Sequence, residues 1–296
     1  MWLFALGLIF LNSLQGLCCK MYAMHYTGDG RNVSYVYCIA TGAITAVISL
    51  ITNGFRYAPS PVTLCVGAAG ALMLYGTYHA MIRATAIGSY SFYSVCGCFG
   101  GTLIPLLVAS VIYGQSFRLS QIAGIALSLL SFVFFYLANA KKENAAKRDR
   151  VKLRYLLYCL QGAVCVGAYN QIISTQQILL NHTESQEMVI TVYLCMALIC
   201  LIMLLVQNGA NAGKALQVNR RAGMYLLACG LILPVYMIAL LALFRHFRPE
   251  VFYVVGNSGC LIFAAIFSRI LFHERFTRAM VAGMILAVAG AALMGI

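Results

Sequence analysis

Ten predominantly apolar windows follow one another along the chain, at 2–22, 33–53, 61–82, 88–113, 120–139, 154–179, 187–207, 222–244, 250–272 and 278–296. A helix of about 20 apolar residues crosses the hydrocarbon core of a bilayer, and each window has that length. Of the 296 residues, 62% are hydrophobic and 9% charged, too little polar surface to cover a water-soluble globule. The sequence therefore predicts an all-α integral membrane protein with ten transmembrane helices. It excludes a soluble cytoplasmic enzyme and a disordered chain. Twenty basic against seven acidic residues give a net charge of +13, yet nearly all the charges fall between the windows. That placement marks loops of a membrane protein, not a nucleic-acid footprint.

The breaks carry turn chemistry: Gly28-Asp29-Gly30 after the first window, Pro59-Ser60-Pro61 before the third, Arg248-Pro249 before the ninth. Met1-Trp2-Leu3-Phe4 has no basic region, so the first window is expected to be a retained helix. Most of the 12 cysteines lie inside apolar windows and read as small hydrophobes. Cys96 and Cys98 form a C-x-C with no His or second Cys pair at zinc spacing, so no metal and no cofactor is expected. The sequons at Asn32 and Asn181 read as chance matches, placed by the helix count on opposite faces of the membrane.

The one strongly charged stretch, 141–154, divides the chain into five windows and five. Phe92-Tyr93-Ser94-Val95 recurs as Phe252-Tyr253-Val254-Val255, and Ala123-Gly124-Ile125-Ala126-Leu127 as Ala282-Gly283-Met284-Ile285-Leu286, at offsets of 160 and 159. Leu14-Gln15-Gly16 recurs as Leu160-Gln161-Gly162. These ordered matches predict a duplication, with a first five-helix repeat at 1–140, a charged linker at 141–153 and a second repeat at 154–296. An odd number of helices makes the second copy enter the membrane from the other side. Two inverted five-helix repeats are an architecture of secondary transporters, with the substrate near the midplane.

With ten helices as five plus five, the turn His273-Glu274-Arg275-Phe276 and a closing Ala/Gly-rich helix, the chain resembles the drug/metabolite transporter superfamily of the EamA-domain type. The first-half turn, Tyr113-Gly114-Gln115-Ser116-Phe117, is followed by Ser120-Gln121-Ile122-Ala123-Gly124; Gln115 stands where that family usually has Glu, and only the second copy keeps the acid. The resemblance implies transport of small metabolites or drugs and no enzymatic activity. It also implies a central cavity lined by the first, third, fourth, sixth, eighth and ninth helices. Related four-helix multidrug transporters couple to protons through a Glu in their first helix. The first window here has no acid, so that mechanism does not carry over.

All seven acids lie outside the helix centres. The coupling candidates are therefore Glu250 at a helix start, Glu274 at a helix end and His79 in the third window, each of which also reads as an interfacial charge. Deep tyrosines are Tyr75, Tyr78, Tyr90, Tyr93, Tyr169, Tyr236 and Tyr253, with deep amides at Asn12, Gln15, Gln161, Asn170 and Asn257. An unpaired amide in hydrocarbon costs several kcal/mol, so these groups must face partners or a wet cavity. Tyrosine faces without a deep carboxylate suit an organic cation, a choline-like compound or a zwitterion; interhelical hydrogen bonds are the alternative use of each ring. Gly97, Gly100 and Gly101, followed by Pro105, suggest a hinge in the fourth helix.

The expected activity is a secondary transporter moving such a small-molecule substrate by alternating access. An amino-acid or metabolite exporter and a lipid-carrier flippase of the same fold are the alternatives. A lipid-active membrane enzyme would need clustered acids or histidines, and the sequence offers no D-x-x-D or H-x-x-x-D. Gly283, Ala287, Ala291 and Gly295 form a small-residue stripe, and a homodimer through the last helix is the expected protein partner besides the lipid bilayer. Sixteen of the 20 basic residues fall on the side of the charged linker, which places that linker in the cytoplasm and the termini outside. The resembled family is generally drawn with both termini inside. The expected location is multi-pass in the plasma (inner) membrane.

Overall fold

The computed structural model describes residues 2–113, 118–140, 145–181, 183–244, 249–273 and 276–294. Among them the regular elements are helices: α1 (Trp2–His25), α2 (Val33–Thr52), α3 (Pro61–Ile87), α4 (Tyr90–Tyr113), α5 (Leu119–Ala140), α6 (Ala145–Leu179), α7 (Ser185–Asn208), the four-residue α8 (Ala212–Ala215), α9 (Arg220–Phe244), α10 (Pro249–Ile270) and α11 (Arg278–Met294). Ten are long, one for each apolar window. Seven, α1 to α4 with α6, α7 and α9, are long and apolar enough to cross a membrane; the described apolar stretches in α5, α10 and α11 are shorter.

The breaks expected from sequence are where helices start. Pro61 and Pro249 are first helical residues, where a missing N–H costs nothing. Side-chain oxygens of Ser60, Ser89, Asn219 and Thr277 accept the backbone N–H three residues on and cap α3, α4, α9 and α11. α6 starts earlier than the apolar window, because Ala145, Ala146, Lys147, Arg148, Arg150 and Lys152 are good helix formers. Most of the charged linker is thus continuous with the sixth span.

The chain forms two compact units that interleave the sequence halves rather than coincide with them. The first, Met1–Phe10, Arg83–Gln171 and Phe247–Ile296, holds α4, α5, most of α6, α10 and α11. Within it α5 packs on α11, and α4 on α10 and α11. Ala287 and Ala291 of the α11 stripe are buried and line a small void with Val95 and Cys98 of α4 and Ser128 and Ser131 of α5. The stripe is used inside the chain.

The second unit, Leu11–Ile82 and Ile172–His246, holds most of α1 and α3, the end of α6, and α2, α7 and α9. There α2 packs against α7 and α9. Met224, Leu227, Leu231 and Val235 make an exposed stripe on α9, opposite buried Leu226, Cys229, Leu233 and Met237, as a lipid-facing helix requires. Connections of this unit meet in alternation. At one end of α7, Asn32 and Asn208 exchange reciprocal amide bonds of 3.1 Å. At the other, the α6–α7 turn meets the start of α3 through Glu184 and Ser60. Asn32 and Asn181 therefore stand at opposite ends of α7, and the Asn32 amide is buried in its pair.

Candidate functional site

In the second unit an aromatic cluster grows from three helices. Residues three and four apart share a helix face, so α3 presents Tyr75, Tyr78 and His79 together. The ring of Tyr78 meets Tyr37 of α2 edge-on at 5.0 Å, and Tyr37 meets Tyr22 of α1 at 5.4 Å. Gln15, two turns before Tyr22, donates its amide to the Tyr37 hydroxyl at 2.7 Å. Its backbone carbonyl accepts from the Cys229 thiol of α9 at 3.6 Å. Tyr22, Tyr37, Tyr78 and Gln15 are all buried, so they form an inner layer.

A half-buried outer layer lies beside it. Tyr75 stacks on Tyr35 of α2, centroids 5.9 Å apart and planes 8° from parallel, and its other neighbour is the His79 ring at 5.8 Å. Parallel rings with an imidazole alongside present π faces and a titratable nitrogen, a surface suited to a cation. Asn12 and Tyr236 are half-buried in α1 and α9. Of the expected residues in this unit, the structure joins Gln15 and Tyr78 through Tyr37, and Tyr75 to His79.

In the first unit the expected residues gather where α4, α6 and α10 meet. α4 and α6 cross closely: a Cβ on Gly100 would fall on the Ala163 carbonyl, and one on Gly162 would stand 2.7 Å from the Tyr93 ring. Asn170 of α6 donates its side-chain amide to the Gly101 carbonyl at 3.3 Å, and Asn257 of α10 donates to the Thr102 hydroxyl at 3.3 Å. Tyr90 and Tyr93 are buried, Tyr90 edge-on to Phe272 at 5.8 Å. Gln161 and Tyr169 are half-buried. Tyr253 and Glu250 belong to α10, but their side chains lie outside what is described, and Glu274 lies outside the described residues.

Sequence reasoning missed three aromatic partners, Tyr22, Tyr35 and Tyr37, because they lie near helix ends, where a tyrosine reads as an interfacial residue. It also missed a polar network at one end of the second unit. Glu184 accepts from the Ser60 backbone N–H and hydroxyl, both at 3.0 Å, and from the Thr63 hydroxyl. Buried Gln176 donates to Thr63 at 3.0 Å, and Gln177 accepts from Ser185 at 2.7 Å. The Thr63 and Ser60 donors hold the Glu184 carboxyl below its ordinary range. The signal was the pair Gln176-Gln177 at the end of an apolar window, two adjacent amides that must find partners.

Residues 153–296 match the EamA-like transporter family. No curated protein matches the sequence. Among solved structures 28 chains match. One, a crystal structure of a protein, superposes with a TM-score of 0.67 over 98% of this chain and 96% of its own, at 14% identity, a likeness of fold alone. Residues 153–296, just under half of the chain, are an EamA-like transporter domain of the drug/metabolite transporter superfamily, which makes the protein a multi-pass membrane transporter and not an enzyme.

Proposed function

We propose that the protein moves a small organic cation, choline-like or zwitterionic, across the membrane by alternating access, and that Tyr35, Tyr75 and His79 hold the positive group. The observation that carries this reading is the parallel, half-buried pair of Tyr35 and Tyr75 with His79 beside it. All seven acids of the chain are outside the helix centres, so rings and neutral dipoles must compensate the charge of a bound cation. Each ring contributes about 0.5–2 kcal/mol. The other lining positions expected from sequence are Asn12 and Tyr236 in the unit that holds Tyr75 and, in the other unit, Tyr93, Gln161, Tyr169, Asn170, Tyr253 and Asn257. His79, Glu250 and Glu274 are the coupling candidates.

The repeat architecture belongs to the same proposal: ten spans, as two inverted five-helix halves, 1–140 and 154–296. Packing supports it. α2 pairs with α7, α4 with α10 and α5 with α11, and the members of each pair hold the same place in their halves. An inverted duplication brings equivalent helices together in this way around its pseudo-two-fold axis. The basic linker side faces the cytoplasm, in the plasma (inner) membrane. A homodimer through α11 would have to use its lipid-facing residues Val281 and Ile285, since Ala287 and Ala291 are packed inside.

Counterflow in proteoliposomes tests the substrate class. Choline should exchange, and its uncharged carbon isostere 3,3-dimethylbutan-1-ol should not. Equal exchange of both, or of neither while neutral metabolites exchange, would contradict the cation site and favour the metabolite exporter.

A further inference from the structure

Pro105 lies inside α4 and has no N–H. The carbonyl four residues earlier, that of Gly101, therefore lacks its helical donor. The Asn170 amide substitutes for it at 3.3 Å, long against the usual spacing of about 2.9–3.0 Å. One residue on, the Thr102 hydroxyl accepts from Asn257 and donates to the Cys98 carbonyl at 2.9 Å. Both amides stand over Gly101: a Cβ there would lie 2.9 Å from the Asn257 nitrogen and 3.2 Å from that of Asn170. Gly101 is near the middle of the 24 residues of α4, the depth at which a poorly satisfied carbonyl is most costly.

We propose that this broken turn is a hydrogen-bonding subsite for a protonated amine of the transported solute, whose ammonium N–H replaces the Asn170 amide on the Gly101 carbonyl. The inference rests on the cation reading above, as a station distinct from the Tyr35–Tyr75 faces, and ranks amines that keep at least one N–H ahead of quaternary ones. A carbonyl has two lone pairs, and a charge-assisted bond to an ammonium is roughly twice as strong as a neutral one. The Thr102 hydroxyl and the amide oxygens of Asn170 and Asn257 are further acceptors of the right type. Freed carbonyls of broken helices coordinate cations in other transporter architectures. The equivalent turn of α9, where Pro234 frees the Gly230 carbonyl, is covered by a hydrocarbon: a Cβ on Gly230 would stand 2.8 Å from Ile44. Of these two turns, the one in α4 has amide nitrogens beside its glycine.

The test measures binding of ethanolamine, its N-methyl and N,N-dimethyl derivatives, and choline to the purified protein at neutral pH. The first three keep an N–H as cations; choline has none. Affinity should drop about tenfold between N,N-dimethylethanolamine and choline, one hydrogen bond's worth. Pro105→Ala returns an N–H to the helix and occupies the Gly101 carbonyl. It should abolish that step while the melting temperature holds or rises. Asn257→Ala, which leaves the helix intact, should weaken the N–H-bearing amines more than choline. Equal binding of choline and the dimethyl amine, or a step that survives Pro105→Ala, overturns the subsite and leaves the cation reading standing. Failure of every amine to bind overturns both.

Discussion

The amide of Gln15 donates to the hydroxyl of Tyr37 at 2.7 Å, tying α1 to α2 through two side chains that are both buried. Removing one partner leaves the other unsatisfied at a cost of about 1–3 kcal/mol, whereas removing both costs less than the sum. Gln15→Leu and Tyr37→Phe should each lower the melting temperature in detergent, and the double variant should fall short of additivity. Strict additivity would show that the bond contributes nothing.

Tyr75 has a different role, since it is half-buried and stacks on Tyr35. Tyr75→Ala should raise the half-saturating concentration of a transported cation about 2- to 30-fold, the range expected for one ring. Tyr75→Phe should stay near wild type. Thermal stability should change little in either. A loss of folding equal to the loss of transport would make Tyr75 a packing residue.

Two glycines of α4 should behave in opposite ways. A Cβ at Gly97 meets nothing within 4 Å, whereas at Gly100 it falls on the Ala163 carbonyl of α6. Gly97→Ala should express and melt like the parent or slightly better. Gly100→Ala should be poorly expressed or melt lower. Within the Gly97, Gly100 and Gly101 cluster, Gly100 lies at a helix crossing and Gly101 at a broken turn.

The Glu184 carboxylate caps α3 across the α6–α7 turn. Its folded pKa is held below the ordinary value of about 4.3 by donors from Thr63 and Ser60. A depressed acid contributes stability that is complete above the unfolded pKa and disappears as pH falls through the folded one. Melting temperature should therefore be flat from neutral pH to about pH 5 and fall below about pH 4. Glu184→Gln should lower it at neutral pH and flatten that acid limb. An unchanged acid limb in Glu184→Gln would assign it to other carboxylates.

Helix number and helix starts were legible because apolar length and proline position act locally. Pro61 and Pro249 begin helices wherever the rest of the chain goes. The start of α6 was not, because the apolar window ended where Ala145 to Lys152 changed from greasy to charged without ceasing to favour helix. The site was only half legible. Gln15 and Tyr78 were identified as deep polar groups needing partners, but the partner, Tyr37, comes from another helix, and no spacing within one window encodes that contact. Asn170 was found for the same reason, while its acceptor, the Gly101 carbonyl, is a consequence of Pro105 that only the helix crossing makes visible.

Current recorded from liposomes carrying the purified protein on a solid-supported membrane tests the central claim most directly. A panel of quaternary and protonated amines, amino acids and sugar phosphates would be applied with and without a pH gradient. The account predicts a saturable current evoked by the cations, half-saturating at higher concentration in Tyr75→Ala, and dependence on the gradient would direct mutation to His79, Glu250 and Glu274. Silence towards every cation, with stabilisation of the protein by neutral solutes or sugar phosphates, would contradict it.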